Sequence, residues 1–149
     1  MTTNETPADQ ECVFCAIAAG RAEASVVFED DTVVVFMDLH PVNPGHLLVV
    51  PRGHAVGLED LDGATGAHVF AVGHDMARAL RRSTLRCDGI NVVLCDGRAA
   101  FQTVFHVHLH VIPRHTDDGW TMPTDPPERA KALRDRDAAA IKDALAAVR

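Results

Sequence analysis

Residues 105–112 read Phe-His-Val-His-Leu-His-Val-Ile, and this alternation of histidine and apolar residues is the most informative pattern in the chain. Successive side chains of a β-strand point to opposite faces, so a strand over 104–112 would place three imidazoles on one face and apolar side chains on the other. Neighbouring histidines would lie about 6.6 Å apart along the strand, so two of them could share a metal ion and three could not. A single histidine in a strand is commonly a surface or core residue, but three in register beside the glycine-containing turn at 96–98 indicate a functional site.

Hydrophobic patterns elsewhere predict an α+β domain in which an antiparallel sheet carries helices. An acidic turn at 29–31 separates two apolar runs, which is typical of a β-hairpin, and Pro51 ends a third run. Asp62 is a favourable N-cap for the one long central helix. The predicted strands are 26–29, 32–38, 47–50, 90–94 and 104–112, and the predicted helices are 12–20 (a short helix or turn), 62 to about 82, and a C-terminal helix from near Pro127 to Val148.

Length and composition predict one domain. The chain has 149 residues and a net charge of −7 spread along the sequence, which argues against nucleic acid as the main partner. No run approaches the roughly 18 apolar residues that a membrane span requires, and the four cysteines lack the pattern of a disulfide framework. We therefore expect a cytoplasmic protein without a membrane partner, with a flexible tail over 1–11 and a single domain with a C-terminal helical tail over 12–149.

The alternating stretch resembles the signature of the histidine triad (HIT) family, in which three histidines alternate with apolar residues; the match runs over 106–112. Asp38 and the following Pro41-x-x-Pro44-Gly45-His46 are similar to the family's nucleoside-binding segment, and 97–113 is similar to its phosphate loop and triad strand. The resemblance covers most of the chain up to His115 and is to the bacterial Hint-like branch. It implies a HIT-like antiparallel sheet with one long central helix.

The resemblance also implies a catalytic set. A neutral imidazole can attack phosphorus and later leave when water arrives, which divides one displacement into two easier steps. By resemblance His108 is this nucleophile, while His110 and His46 touch the phosphate or support the ring. Gln102 and Thr103 are expected to surround the phosphate and the leaving group.

Nucleotide-binding residues follow from the same resemblance. Asp38 is expected to accept hydrogen bonds from the ribose hydroxyls, and Leu39, Phe14 and Phe36 are candidates for the base pocket. The two aromatic rings have an alternative interpretation as ordinary core residues.

Two positions in the phosphate loop depart from the phosphoramidase branch of the family. Cys95 stands where many members have asparagine, and Phe101 stands where many have glycine. Cys95 takes the place of a nucleotide contact but cannot make the bonds of an amide, and Phe101 lacks the backbone freedom of glycine.

The pair Cys12-x-x-Cys15 has zinc-ligand spacing, although a closed structural site needs four ligands. Branches of the family, and the related galactose-phosphate uridylyltransferases, complete such a site with residues that correspond here to His54 and His106. The resemblance therefore implies a structural zinc on Cys12, Cys15, His54 and His106. A redox dithiol and two buried cysteines remain as alternative interpretations of the pair.

These observations predict a hydrolase or transferase that acts at the α-phosphate of a purine nucleoside monophosphate conjugate, as a purine nucleoside phosphoramidase does. The alternatives are a dinucleoside polyphosphate hydrolase, a nucleotide-binding or interaction module with little turnover, and a metalloenzyme with a metal on the triad strand. The resemblance also implies a homodimer that pairs through the central helix and the strand at 90–94.

Overall fold

The computed structural model describes residues 12–122 and 125–149, so the predicted tail over 1–11 lies outside the described residues. The described chain forms an antiparallel sheet with helices, which confirms the predicted α+β class. The strands are β1 Val26–Glu29, β2 Val33–Met37, β3 Leu47–Pro51, β4 Gly89–Leu94 and β5 Leu109–Arg114, and the helices are α1 Val13–Ala18, α2 Gly63–Arg82 and α3 Lys131–Leu145, with a short 3-10 helix at Arg98–Ala100. The strand order in the sheet is β1-β2-β3-β5-β4, and every neighbouring pair is antiparallel.

Alternation along the strands builds a core on each face of the sheet. Val33 and Val35 of β2 belong to the core that includes α2, whereas Val34 and Phe36 belong to the core that includes Phe14 of α1. Burial on both faces explains why β2 and β3 are continuous apolar runs. The α2-side core consists of Val33, Val35, Leu47, Val49, Val69, Val72, Leu80, Leu109 and Val111.

Two aspartates stabilise local structure that the sequence predicted, one in the turn between β1 and β2 and one at the start of α2. In the β1–β2 turn the carboxylate of Asp30 accepts hydrogen bonds from the N–H groups of Thr32 and Val33, each at 2.8 Å. The carboxylate of Asp62 accepts a 2.9 Å bond from the Thr65 N–H at the start of α2, which confirms the predicted N-cap.

The strand predicted to carry the triad begins later in the structure than in the prediction. The strand predicted over 104–112 was wrong for residues 104–108, because β5 starts at Leu109. The backbone bonds give the reason: the Val107 N–H donates to the Ala55 carbonyl at 2.7 Å, in the loop after β3, and not to a neighbouring strand. Successive side chains still face opposite sides of the sheet, since Leu109 and Val111 pack in the α2-side core.

The C-terminal helix is shorter than predicted. We expected it from near Pro127 to Val148, but α3 spans Lys131–Leu145. Residues 125–130 before it form no helix, and a proline disfavours the helical conformation in the residue that precedes it, as at 125 and 126. None of its residues is buried, so its apolar spacing does not mark a core-facing stripe.

The chain divides into two compact units. The first ends at Asp118 and contains the sheet, α1 and α2. The second spans Gly119–Arg149 and contains α3, in which Lys131 and Asp135 form an exposed ion pair at 2.8 Å. No helix in the described ranges combines the length and the hydrophobicity that crossing a membrane would require.

Candidate active site and metal centre

The triad histidines share the side of the sheet that carries α1. The Phe14 ring contacts both His106 and His108 edge-on, with centroids 6.0 and 5.1 Å apart. The rings of His108 and His110 are 4.8 Å apart. The common side predicted from the alternation is therefore confirmed, although only His110 lies within β5.

His108 is held in one tautomer by the backbone. It is 5 % exposed, and its Nδ1 lies 2.7 Å from the carbonyl oxygen of His106. A carbonyl oxygen only accepts, so Nδ1 carries the ring hydrogen and Nε2 of the neutral ring keeps its lone pair. Burial lowers the pKa of His108 below its usual value of 6.5, so the ring is neutral near pH 7.

A second chain of bonds orients His110. The Val42 N–H donates to Nδ1 of His46 at 3.0 Å, which leaves the hydrogen of the neutral His46 ring on Nε2. That Nε2 donates to Nδ1 of His110 at 2.9 Å, so His110 carries its own hydrogen on Nε2. The bonds thus give His108 an acceptor nitrogen and His110 a donor nitrogen on adjacent rings.

Burial keeps the three rings of His46, His108 and His110 uncharged near pH 7. Burial, together with the neighbouring His108 and His46, lowers the pKa of His110 to about 4. Burial also lowers the pKa of His46. Asp38 Oδ2 lies 3.4 Å from His46 Nε2 and 4.0 Å from His110 Nδ1, and these are contacts between a carboxylate and neutral rings near pH 7.

A cavity of about 460 Å³ lies beside these histidines. Eight of its lining residues were singled out by the sequence: Phe14, Phe36, Asp38, Leu39, His46, Thr103, His108 and His110. Leu48 was missed, although the register pairs it with Phe36 on one side and His110 on the other and so places it in the same row. His40 also lines the cavity, and its N–H donates to Asp38 Oδ1 at 2.8 Å.

Two predicted site residues do not line this cavity. Cys95 is half-buried and is absent from the cavity wall. Gln102 is 4 % exposed and is bonded within the protein: its Oε1 accepts from the Gly97 N–H at 2.8 Å, and its Nε2 donates to the carbonyls of Val56 and Val104 at 2.6 and 3.1 Å. Both amide hydrogens are used, so this arrangement leaves none for a phosphate.

The backbone of Phe101 has the left-handed conformation that glycine adopts most easily. Its φ is 70°, in the left-handed region, and its side chain is 84 % exposed. A left-handed conformation costs a residue other than glycine about 1 kcal/mol or more. The neighbouring Thr103 is exposed and lies on the cavity wall.

The four predicted metal ligands meet at one point. The ligand atoms of Cys12, Cys15, His54 and His106 all lie within 4.8 Å of one another. Nδ1 of His106 is 3.3 Å from Cys12 Sγ, and Nδ1 of His54 is 3.3 Å from Cys15 Sγ and 3.2 Å from Nδ1 of His106.

This donor set fits zinc. A tetrahedral site with Zn–S of about 2.3 Å and Zn–N of about 2.0 Å separates neighbouring nitrogen and sulfur ligands by about 3.5 Å. His106 Nε2 donates to the Pro51 carbonyl at 2.7 Å, so Nδ1 is the unprotonated nitrogen that points to the other ligands. Burial lowers the pKa of His106, which keeps that nitrogen available.

Known proteins resemble this chain in sequence and in fold. The family description that matches is the HIT domain, over residues 19–117. A HIT-like protein of Mycobacterium tuberculosis is 43% identical in an alignment of 141 positions that covers 91% of this chain and 97% of the relative. The crystal structure of a zinc-bound histidine triad family protein from Mycobacterium smegmatis has a TM-score of 0.73 at 46% identity, covering 80% of this chain and 86% of that chain. A histidine triad nucleotide-binding protein from Candida albicans has a TM-score of 0.80 at 26% identity, covering 93% and 100% respectively.

Proposed function

The chain belongs to the HIT domain family, and we propose that it hydrolyses or transfers the nucleoside monophosphate part of a purine nucleotide conjugate through a covalent intermediate on His108. Members of this family bind nucleotides and are generally nucleotide hydrolases or transferases. The observation that carries the proposal for this chain is the tautomer of His108, which the His106 carbonyl fixes with Nε2 unprotonated beside the cavity.

The proposed reaction has two displacements at the α-phosphorus. Nε2 of His108 attacks phosphorus, and the bond from phosphorus to the leaving nitrogen or oxygen breaks. A departing amine takes up a proton, for which the Thr103 hydroxyl on the cavity wall is a suitable donor or relay. Water then attacks the phosphohistidine and loses a proton, which replaces the one given to the leaving group, and the imidazole of His108 leaves with its electron pair.

His110 is proposed to stabilise the phosphate. The chain from the Val42 N–H through His46 holds the His110 hydrogen on Nε2, where it can donate to a phosphate oxygen. A donor that is already oriented pays little reorganisation cost as charge develops in the transition state.

The nucleoside is proposed to occupy the 460 Å³ cavity. Asp38 Oδ2 is suited to accept a ribose hydroxyl, since Oδ1 is already held by the His40 N–H. The base would pack against the apolar wall that Phe36 and Leu48 provide, with the 87 % exposed Leu39 at the entrance.

A catalytic metal on the triad side is disfavoured by the same bonds. Asp38, His46 and His110 form a second group of atoms with metal-ligand spacing. However, ligation through His46 Nε2 would move its hydrogen to Nδ1, where the Val42 N–H already donates. The Cys12, Cys15, His54 and His106 cluster has no such conflict, and we propose that it holds one structural zinc.

The proposed function is tested with a panel of AMP and GMP conjugates. Purified protein should release the nucleoside monophosphate from a phosphoramidate or from a dinucleoside polyphosphate, as followed by chromatography of the products. The preferred leaving group separates a phosphoramidase from a polyphosphate hydrolase. Nucleotide binding without release from any conjugate would instead indicate a binding module and would refute the enzymatic proposal.

We also propose that the protein is a homodimer. Strand β4 is at the edge of the described sheet, and Val92 on it is 41 % exposed. Pairing through this edge and α2 would remove an exposed ladder of backbone groups. Light scattering at micromolar concentration should give twice the chain mass of 16.1 kDa, and Val92→Lys should lower it. A wild-type mass of one chain would contradict this proposal.

A further inference from the structure

The segment 54–57 connects the metal centre to the phosphate loop, which we define as residues 95–103. We propose that this segment couples the two sites energetically, and that Gln102 is the positioning residue that joins it to the loop. The inference rests on the proposed function, because it takes the loop to form part of a nucleotide site.

Successive residues of the segment contact different parts of the site. His54 is one of the four clustered ligands. The next residue, Ala55, accepts a 2.7 Å hydrogen bond from the N–H of Val107, which lies between a metal ligand and the proposed nucleophile. The carbonyl of Val56 accepts a 2.6 Å bond from the Gln102 amide.

Gly57, the last residue of the segment, lies against Asp96 at the start of the phosphate loop. A Cβ built on Gly57 would lie 2.2 Å from a carboxylate oxygen of Asp96, so a side chain at position 57 requires the exposed Asp96 carboxylate to rotate away. Gly53, beside His54 on the other side, has no atom within 4 Å of such a Cβ. The two glycines therefore provide a matched pair of positions, one against the phosphate loop and one in open space.

Gln102 acts as the link because its bonds run to both sides of the junction. Its Oε1 holds the Gly97 N–H in the loop, while its Nε2 holds Val56 in the segment. The Gln102 side chain is buried, and loss of its amide would remove both the donor to the Val56 carbonyl and the acceptor of the Gly97 N–H. Its contribution to the reaction is thus to place the loop and not to bind the phosphate.

This arrangement makes metal binding and nucleotide binding reciprocal. If a bound nucleotide holds the phosphate loop, it also holds 54–57 and raises the affinity for zinc. Typical couplings between two sites change affinity about 5- to 150-fold, and the effect must be equal in both directions.

Competition for zinc between the zinc-loaded protein and a chromogenic chelator, followed to equilibrium with and without saturating AMP, measures the coupling. In the wild type AMP should raise the affinity for zinc about tenfold. In Gln102→Ala the ratio of the two affinities should fall towards one, and Gly57→Ala should lower this ratio in the same direction but by less, because it displaces only the Asp96 carboxylate. Gly53→Ala should keep the wild-type ratio although it lies next to a ligand. A purely structural role for Gln102 would lower the melting temperature without changing this ratio.

The outcomes separate this inference from the proposed function. A wild-type affinity for zinc that AMP leaves unchanged, or an AMP effect that Gln102→Ala keeps in full, would overturn this inference while leaving the enzyme assignment intact. Should Gln102→Ala not fold, Gln102→Glu decides, because it keeps an acceptor for the Gly97 N–H and loses the donor to Val56. If AMP does not bind at all, the proposed function fails. In that case, weaker zinc binding by the Gln102 variant than by Gly53→Ala without nucleotide would still support the coupling, and equal affinities would overturn it.

Discussion

Replacing His108 by alanine should lower the turnover of the best nucleotide conjugate by several orders of magnitude. The substitution removes the only route through a phosphohistidine, and deletion of a nucleophile elsewhere in enzymes causes losses of that size. AMP should still bind with an affinity close to that of the wild type, because Asp38 and the apolar wall of the cavity remain. Single-turnover rates and equilibrium titration measure the two effects separately.

His115→Ala is a suitable control, since His115 is a half-buried histidine that lies outside the triad and outside the cavity wall. It should leave both rate and binding unchanged. If His108→Ala keeps more than about a tenth of the wild-type rate, covalent catalysis at this residue is wrong, because such a drop is only about 1.4 kcal/mol of barrier.

The neighbouring histidines should respond differently from His108. His106→Ala should lower zinc content and folding stability, because Nδ1 of His106 points into the ligand cluster. His110→Ala should give an intermediate loss of rate, because it removes a phosphate donor and leaves the nucleophile in place. Substitutions of the three triad histidines should thus give three distinguishable phenotypes.

Replacing the proposed zinc ligand Cys15 by alanine should destabilise the fold more than it changes the chemistry. The purified wild type should carry about one zinc per chain, as a closed four-ligand site requires. A metal present at about a thousand times its Kd contributes about 4 kcal/mol to the free energy of unfolding. Its loss should therefore lower the melting temperature by about 10 °C for a chain of this size.

Cys87→Ala provides the matched control, since Cys87 is a half-buried free cysteine outside the cluster. It should leave zinc content unchanged and alter the melting temperature far less than Cys15→Ala. Metal-free wild-type protein with unaltered melting would show that the four residues do not form a structural zinc site.

Much of the fold could be predicted from the sequence because local and tertiary signals agree there. The Asp62 cap and the helix that follows depend on contacts within a few residues, so a single sequence reveals them. The metal ligands followed from spacing and resemblance, and their side chains do meet.

The remaining features depend on contacts between distant segments. The triad strand starts late because Val107 bonds to Ala55 in another loop, and an alternating sequence cannot reveal that partner. Gln102 was expected on the phosphate, but its amide bonds to Val56, which lies 46 positions away in the chain. The apolar residues of α3 have helical spacing, yet none of them is buried, because spacing alone does not determine burial.

The most direct test of the central claim is to trap the phosphohistidine. Wild-type protein should be mixed with the preferred conjugate, quenched under alkaline conditions that preserve phosphohistidine, digested and analysed by mass spectrometry. We expect one nucleoside monophosphate adduct, on the peptide containing His108 and at that residue, and no adduct in His108→Ala. Rapid turnover by the wild type with no adduct at any quench time, or an adduct on another residue, would contradict the assignment of His108 as the nucleophile.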